Sequence, residues 1–223
     1  GLKSINVISF APGGILLIGD GAASQILAVV TGDTTPSTSR RKAIPDFDKQ
    51  LAGHLGTTPD GIEIIDLAVN PASGKIYVAL RKQDDKSYLV ATVDAANKIR
   101  EFEMNEVPYA RTRLSAGQVQ ISRITDVAWA DDRLVAAGRG NETFASKIFS
   151  IAAPLKHDAT SNFYSAETYH VQHRRWETKA PMSVLLPIQE DGQTYVVGAF
   201  SCTPVVKYPL DSLKPGAKVK GTS

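Results

Sequence analysis

The chain has 223 residues, 43% of them hydrophobic and 22% charged. That length and composition are ample for a buried core and exclude global disorder. A net charge of +2 gives no concentrated basic field, so nucleic acid is not expected as a partner. No apolar run approaches the roughly 20 residues that cross a bilayer, so no membrane-spanning helix is expected. Gly1 is not preceded by Met, which fits removal of a signal peptide or an expression tag. The single Cys202 forbids an internal disulfide and is compatible with a periplasmic or secreted location.

In chain order, the segment 4–10 leads through Ala11-Pro12-Gly13-Gly14 into Ile15-Leu16-Leu17-Ile18, a hairpin signal because glycine supplies positive φ and proline stops the first strand. Gly19-Asp20-Gly21 marks the next turn and residues 25–30 the third strand. Residues 31–41 are a polar connector; Ala43-Ile44 suit a short fourth strand, and 47–55 a helical turn begun by Asp46 or Asp48.

The next unit is the cleanest. Residues 67–69, 76–80, 88–93 and 98–103 read as four consecutive strands separated by Asn-, Asp-, Gly- and Lys-rich turns. The first three are nearly continuously apolar and the last alternates, as expected when inner strands are covered on both faces and the outer one borders water. A third unit follows at 127–129, 134–137, 147–151 and 167–171, and a fourth at 184–186, 194–199, 205–208 and, more weakly, 217–220.

Aligned on a small polar residue in each first strand, the units repeat at Asn6, Asp66, Asp126 and Ser183. A fixed period of this kind signals stacked supersecondary units. The hydrophobic-Asp-hydrophobic opening at 64–69, followed by Asn70-Pro71-Ala72-Ser73-Gly74 and Ile76-Tyr77-Val78-Ala79, resembles the blades of β-propellers of the YVTN, NHL and quinoprotein-dehydrogenase-like families. The resemblance implies an all-β chain of four four-stranded antiparallel blades, at about 1–56, 57–117, 118–173 and 174–223. Because these families close with six to eight blades, it also implies a fragment of a larger ring, or half of one completed by a second chain. A blade apolar on both faces must be sandwiched between neighbours.

In such a ring the connections 57–63, 118–123 and 172–179 surround the central channel, where loops on rigid sheets carry binding groups. Arg123, Arg174, Arg175, Trp176, Glu177 and Lys179 are therefore candidate ligand-binding residues, since arginine offers forked donors to an anionic group. Arg111 and Arg113 join them if their connection folds over the channel. Asn6, Asp66 and Asp126 are candidate oxygen ligands for a hard cation such as Ca²⁺. The competing use is structural: a polar residue present in every repeat caps its own turn or bonds a neighbouring blade's backbone.

On a strand, His170 and His173 point to opposite faces, which argues against a shared metal. Asp84-Asp85 and Asp131-Asp132 fall in turns, where Asp bonds locally. No Gly-x-Ser-x-Gly, His-Glu-x-x-His or phosphate-loop motif occurs. The resulting expectation is a non-catalytic propeller scaffold that binds a protein or a small ligand. Its rival is a propeller enzyme at the channel mouth, either a metal-dependent lactonase-like hydrolase or a quinoprotein-like oxidoreductase subunit, with Glu63 and Glu177 beside the channel carboxylates.

Overall fold

The structure, a computed structural model, describes residues 1–37, 43–115, 118–143, 145–161, 163–170, 174–177, 179–201, 205–214 and 218–220. The chain opens with β1 (Val7–Ala11), β2 (Ile15–Asp20) and β3 (Gln25–Val30), an antiparallel meander. Ala43 and Ile44 form no strand. The expected helical segment is α1 (Phe47–His54), beginning after Asp46. Next come β4 (Ile62–Val69), β5 (Ile76–Lys82), β6 (Tyr88–Val93) and β7 (Ile99–Glu101), a complete four-stranded sheet in simple order. No helix is long and apolar enough to cross a membrane among the described residues.

The chain then turns back. β8 (Tyr109–Leu114) pairs antiparallel with β3, so the fourth strand of the first sheet arrives only after the second sheet is finished. β9 (Ile121–Ala130), β10 (Arg133–Gly140) and β11 (Ser146–Ala152) start the third sheet. β12 (Ala159–Ser161) crosses to lie parallel to β8, and β13 (Phe163–His170) with β14 (Arg175–Glu177) extends the third sheet beyond β11. Among the described residues the fourth sheet has three strands, β15 (Met182–Glu190), β16 (Gln193–Phe200) and β17 (Val205–Pro209). β18 (Lys218–Lys220), expected as its outer strand, instead pairs parallel with β13 of the third sheet. Here a non-local edge prevails over the sequence-adjacent one, a choice that strand propensity does not encode.

Four clusters fill the spaces between sheets, and they fix the stacking order. Ile8, Ile18 and Val29 of the first sheet meet Tyr77, Ala79 and Val90 of the second. The opposite face of the first sheet, with Val7, Leu17 and Ile26, packs on Ile124, Leu134 and Phe149 of the third. Val135, Ala137 and Ile148 on the far side of the third sheet pack on Leu185, Val196 and Tyr208 of the fourth. Finally, Leu51 and Ala52 of α1 cover Val78, Leu80 and Ala91 on the outer side of the second sheet. The order in space is thus α1, second, first, third, fourth. Both faces of the first and third sheets are covered, which explains why their strands read as apolar runs.

The first strands β4, β1, β9 and β15 lie side by side across these junctions. Aromatic edges reinforce one of them: Tyr77 makes edge-to-face contacts with Phe10 at 5.0 Å and Phe102 at 5.6 Å between ring centroids. Contacts of this geometry add about 1 kcal/mol each beyond buried area.

Candidate binding surfaces

The repeated polar position is where neighbouring sheets are joined. Asp66 accepts the Ile8 amide of the first sheet at 2.7 Å through Oδ2 and its own neighbour, the Leu67 amide, at 2.8 Å through Oδ1. Asp126 repeats this, accepting Leu185 of the fourth sheet at 2.7 Å and Val127 at 2.8 Å. In both cases the distant donor stands two residues past the polar position of the neighbouring sheet. Asn6 bridges differently: its Oδ1 accepts the Gly21 amide at 3.0 Å and the Ile124 amide of the third sheet at 3.3 Å. Ser183 reaches no neighbouring sheet through a bond of this kind; its hydroxyl shares a hydrogen bond with Ser201 at 2.9 Å within its own sheet.

Local irregularity makes these bonds geometrically feasible. Register shifts fall at Ile65, Thr125 and Ser183, each at or just before the polar position. A bulge re-aims the following side chain out of the regular alternation. Gly21 is needed for the Asn6 bridge, because an added Cβ would sit 2.2 Å from Asn6 Oδ1 and 2.9 Å from Arg123 Cα. Burial pushes the Asp126 carboxyl above its ordinary range, opposed by the two amides and reinforced by the charge of Asp66.

A second polar clasp joins the connector after β3 to the second sheet. Asp33 accepts from Ser73 Oγ at 2.8 Å, Lys75 Nζ at 2.9 Å and Tyr77 Oη at 3.2 Å, while its carbonyl accepts Asn70 Nδ2 at 2.7 Å. Burial acts to raise its carboxyl, but the hydrogen bonds from Lys75 and Ser73 and the lysine charge outweigh it and hold the group below its ordinary value. Burial also raises the Tyr77 phenol. The Asp84-Asp85 pair acts locally, Asp84 accepting the Asp85 amide at 2.7 Å and Asp85 that of Ser87 at 2.8 Å, whereas in the second pair only Asp132 does, accepting Arg133 Nε at 3.1 Å, and Asp131 accepts the Thr194 hydroxyl of the fourth sheet at 3.0 Å.

As candidate cation ligands, Asn6, Asp66 and Asp126 come to neighbouring first strands, yet all four carboxylate oxygens already accept amides. Among the described residues no group of three or more His, Cys, Asp or Glu side chains gathers as a metal site. The candidate anion residues divide. Arg174, at φ 51°, forms the turn into β14, where Arg175, Trp176 and Glu177 pair with His170, Tyr169 and Thr168. Trp176 is 39% exposed, and Arg174 and Lys179 are exposed beside it. Arg123 lies on β9, with β10, β11 and β13 between it and that cluster in the sheet order. The expected grouping of Arg123 with residues 174–179 therefore does not form within this sheet, because β14 extends its opposite side. His173 and Cys202 lie outside the described residues.

Arg111 and Arg113 converge on Asp158, Arg111 through Nε at 2.7 Å and Arg113 through Nη2 at 3.7 Å. Chiefly the Arg111 hydrogen bond holds the Asp158 carboxyl below its usual range. These arginines fasten β8 to the segment before β12.

The described surface also contains an opening of about 720 Å³ where the first and second sheets diverge. Leu27 and Val29 of β3 line one wall, and Tyr88, Leu89, Phe102 and Met104 the other. Lys3, Lys86, Glu101, Glu103 and Arg111 supply charges of both signs around it. Its size is within the range of small-ligand clefts. Sequence reading missed it because five separated segments build it, and none carries a motif. Comparison with models of known protein families and with curated proteins gives no match for this chain.

Proposed function

We propose that the chain is an arc of a β-propeller that serves as a non-catalytic scaffold, binding a protein or a small ligand through groups held on its rigid sheets. The observation that carries this reading is the repeated side-chain-to-amide bond, Asp66 to Ile8 and Asp126 to Leu185. One polar residue per sheet, placed on the first strand and accepting from the next first strand, is what a radial series of sheets needs at every junction. It also engages the chain's most conspicuous carboxylates structurally. The two terminal sheets support an incomplete ring: Ile64, Leu67 and Val69 of β4 and Val184 and Leu186 of β15 are exposed. Further sheets, from a second chain or from additional blades, would cover these strips.

The enzyme reading has one observation in its favour, the raised carboxyl of Asp126 near the charge of Asp66, which suits a proton-transferring or cation-binding pair. Metal analysis separates the two. The scaffold reading expects no stoichiometric divalent ion and the same melting temperature with and without chelator, while Asp66→Ala with Asp126→Ala lowers stability. A stoichiometric Ca²⁺ that the double substitution abolishes in a still-folded protein would transfer the lead to the enzyme. For the binding surface, Arg174→Ala, at an exposed position, should leave stability within about 0.5 kcal/mol, and together with Arg175→Ala should weaken capture of an anionic ligand.

A further inference from the structure

Along one side of the opening between the first and second sheets runs a sheet edge to which no further strand pairs among the described residues. β7 is the last strand of the second sheet. The Phe102 amide donates to the Val90 carbonyl at 2.8 Å, and Ala91 stands opposite Glu101. Bonded and non-bonded positions alternate in an antiparallel pair, so the N–H and C=O of Glu101 point away from β6. Side chains alternate as well. Ala91, the partner of Glu101, packs toward α1, whereas Phe102 packs toward the first sheet. The edge therefore presents on one side Phe102, facing Leu27, Val29 and Tyr88, next to an Arg100 whose guanidinium is held by Asp94 at 3.1 Å, and on the other side the exposed Glu101 and Glu103.

We infer that this edge is a docking site for an extended peptide segment that adds to β7 as a fifth strand. Its alternate apolar side chains enter the opening beside Phe102, and its intervening basic side chains lie beside Glu101 and Glu103. Main-chain bonds to an exposed edge give affinity, and alternating side-chain contacts give selectivity. A second copy of this chain is a poorer occupant: antiparallel β7 edges would bring like carboxylates together, and like charges directly across a ladder repel. The Glu101 position pairs the peptide's basic residues with the outward N–H and C=O, so those same residues must supply the main-chain hydrogen bonds.

The test is fluorescence anisotropy of a labelled ten-residue peptide of alternating valine and lysine added to the full chain. Saturable binding is expected, at least tenfold weaker when the lysine backbone amides are N-methylated and at least tenfold weaker when glutamate replaces lysine. Glu101→Pro, which removes an outward N–H and spares the bonds to β6, should weaken binding to the same extent, as should Phe102→Ala. Because the N-methylated peptide is measured on the unaltered protein, a poorly folding variant does not blunt the test. Absence of saturable binding, or equal binding of the three peptides, overturns the proposal. This edge is separate from the amide bonds that join the sheets, so its failure would leave the scaffold reading intact.

Discussion

The two ends of the stack handle the same problem differently. On the second sheet, Leu51 and Ala52 of α1 cover the outer face over β5 and β6, leaving only the strip of Ile64, Leu67 and Val69 on β4 exposed. The register of the fourth sheet places Val184, Leu186 and Ile188 of β15 on one face with Val197 and Ala199 of β16 and Val205 of β17. No helix covers that face among the described residues, and Val184, Leu186 and Val205 are 53%, 59% and 57% exposed. At one end of it Lys207 is held by Glu190 and lies 4.7 Å from the Tyr195 ring centroid. Contiguous apolar surface of this size, exposed to water, contributes nothing to hydrophobic stabilisation until something covers it. The contrast teaches that a single amphipathic helix can finish most of a sheet apolar on both faces, whereas a sheet without one leaves its apolar face open to water.

The comparison can be broken or sharpened by four measurements. The largest effect is expected at Leu51→Ala, which opens a cavity under α1 and should cost about 3 kcal/mol in urea unfolding, as for other fully buried leucines. A loss below about 1 kcal/mol would mean that the helix does not finish the second sheet. Next, Asp126→Ala deprives the buried Leu185 and Val127 amides of their acceptor and should cost about 2 kcal/mol. Ser183→Ala, whose hydroxyl bonds only within its own sheet, should cost far less, so equal losses would remove the distinction between inner junction and open end.

The third measurement is stability against pH. Asp33 has a lowered folded-state value, so its contribution is present above the unfolded value near 3.8 and is lost as pH falls through the folded one. Asp126 has a raised value, so its contribution is present below the unfolded value and is lost as pH rises through the folded one. Asp33→Asn should therefore flatten the acid limb of the stability curve, and an unchanged limb would dismiss Asp33 as the clasp. The smallest effect belongs to Leu186→Lys, expected within about 0.5 kcal/mol if the fourth sheet's outer face is bare in solution. Analytical ultracentrifugation on the same variant reports whether self-association uses that face, since an added charge would suppress it.

Much of the strand plan was legible. The second sheet formed where alternating and continuous apolar runs had put it, and α1 formed after its acidic residues, because turn chemistry and hydrophobic period are local signals. Of the candidate residues, Asn6, Asp66 and Asp126 were legible as a repeat, and their bonding to a neighbouring backbone was among the uses their chemistry allowed. Arg123 and Arg174 were grouped by a presumed loop address. β14 lies instead at the far side of the third sheet from β9, a consequence of β13 pairing beyond β11.

What lay beyond the sequence was every choice between distant edges. The same apolar alternation lets β8 continue the second sheet or return to β3, and lets β18 finish the fourth sheet or join β13. Only the packing of whole sheets decides, since strand preference reflects the neighbours available. By itself the sequence determined that small, doubly apolar sheets would form at four places and carry a polar residue on each first strand. The tertiary structure decided their order, the partner of each polar residue and the opening between the first two sheets. Those depend on which faces and amides come together, information held jointly by residues far apart in the chain.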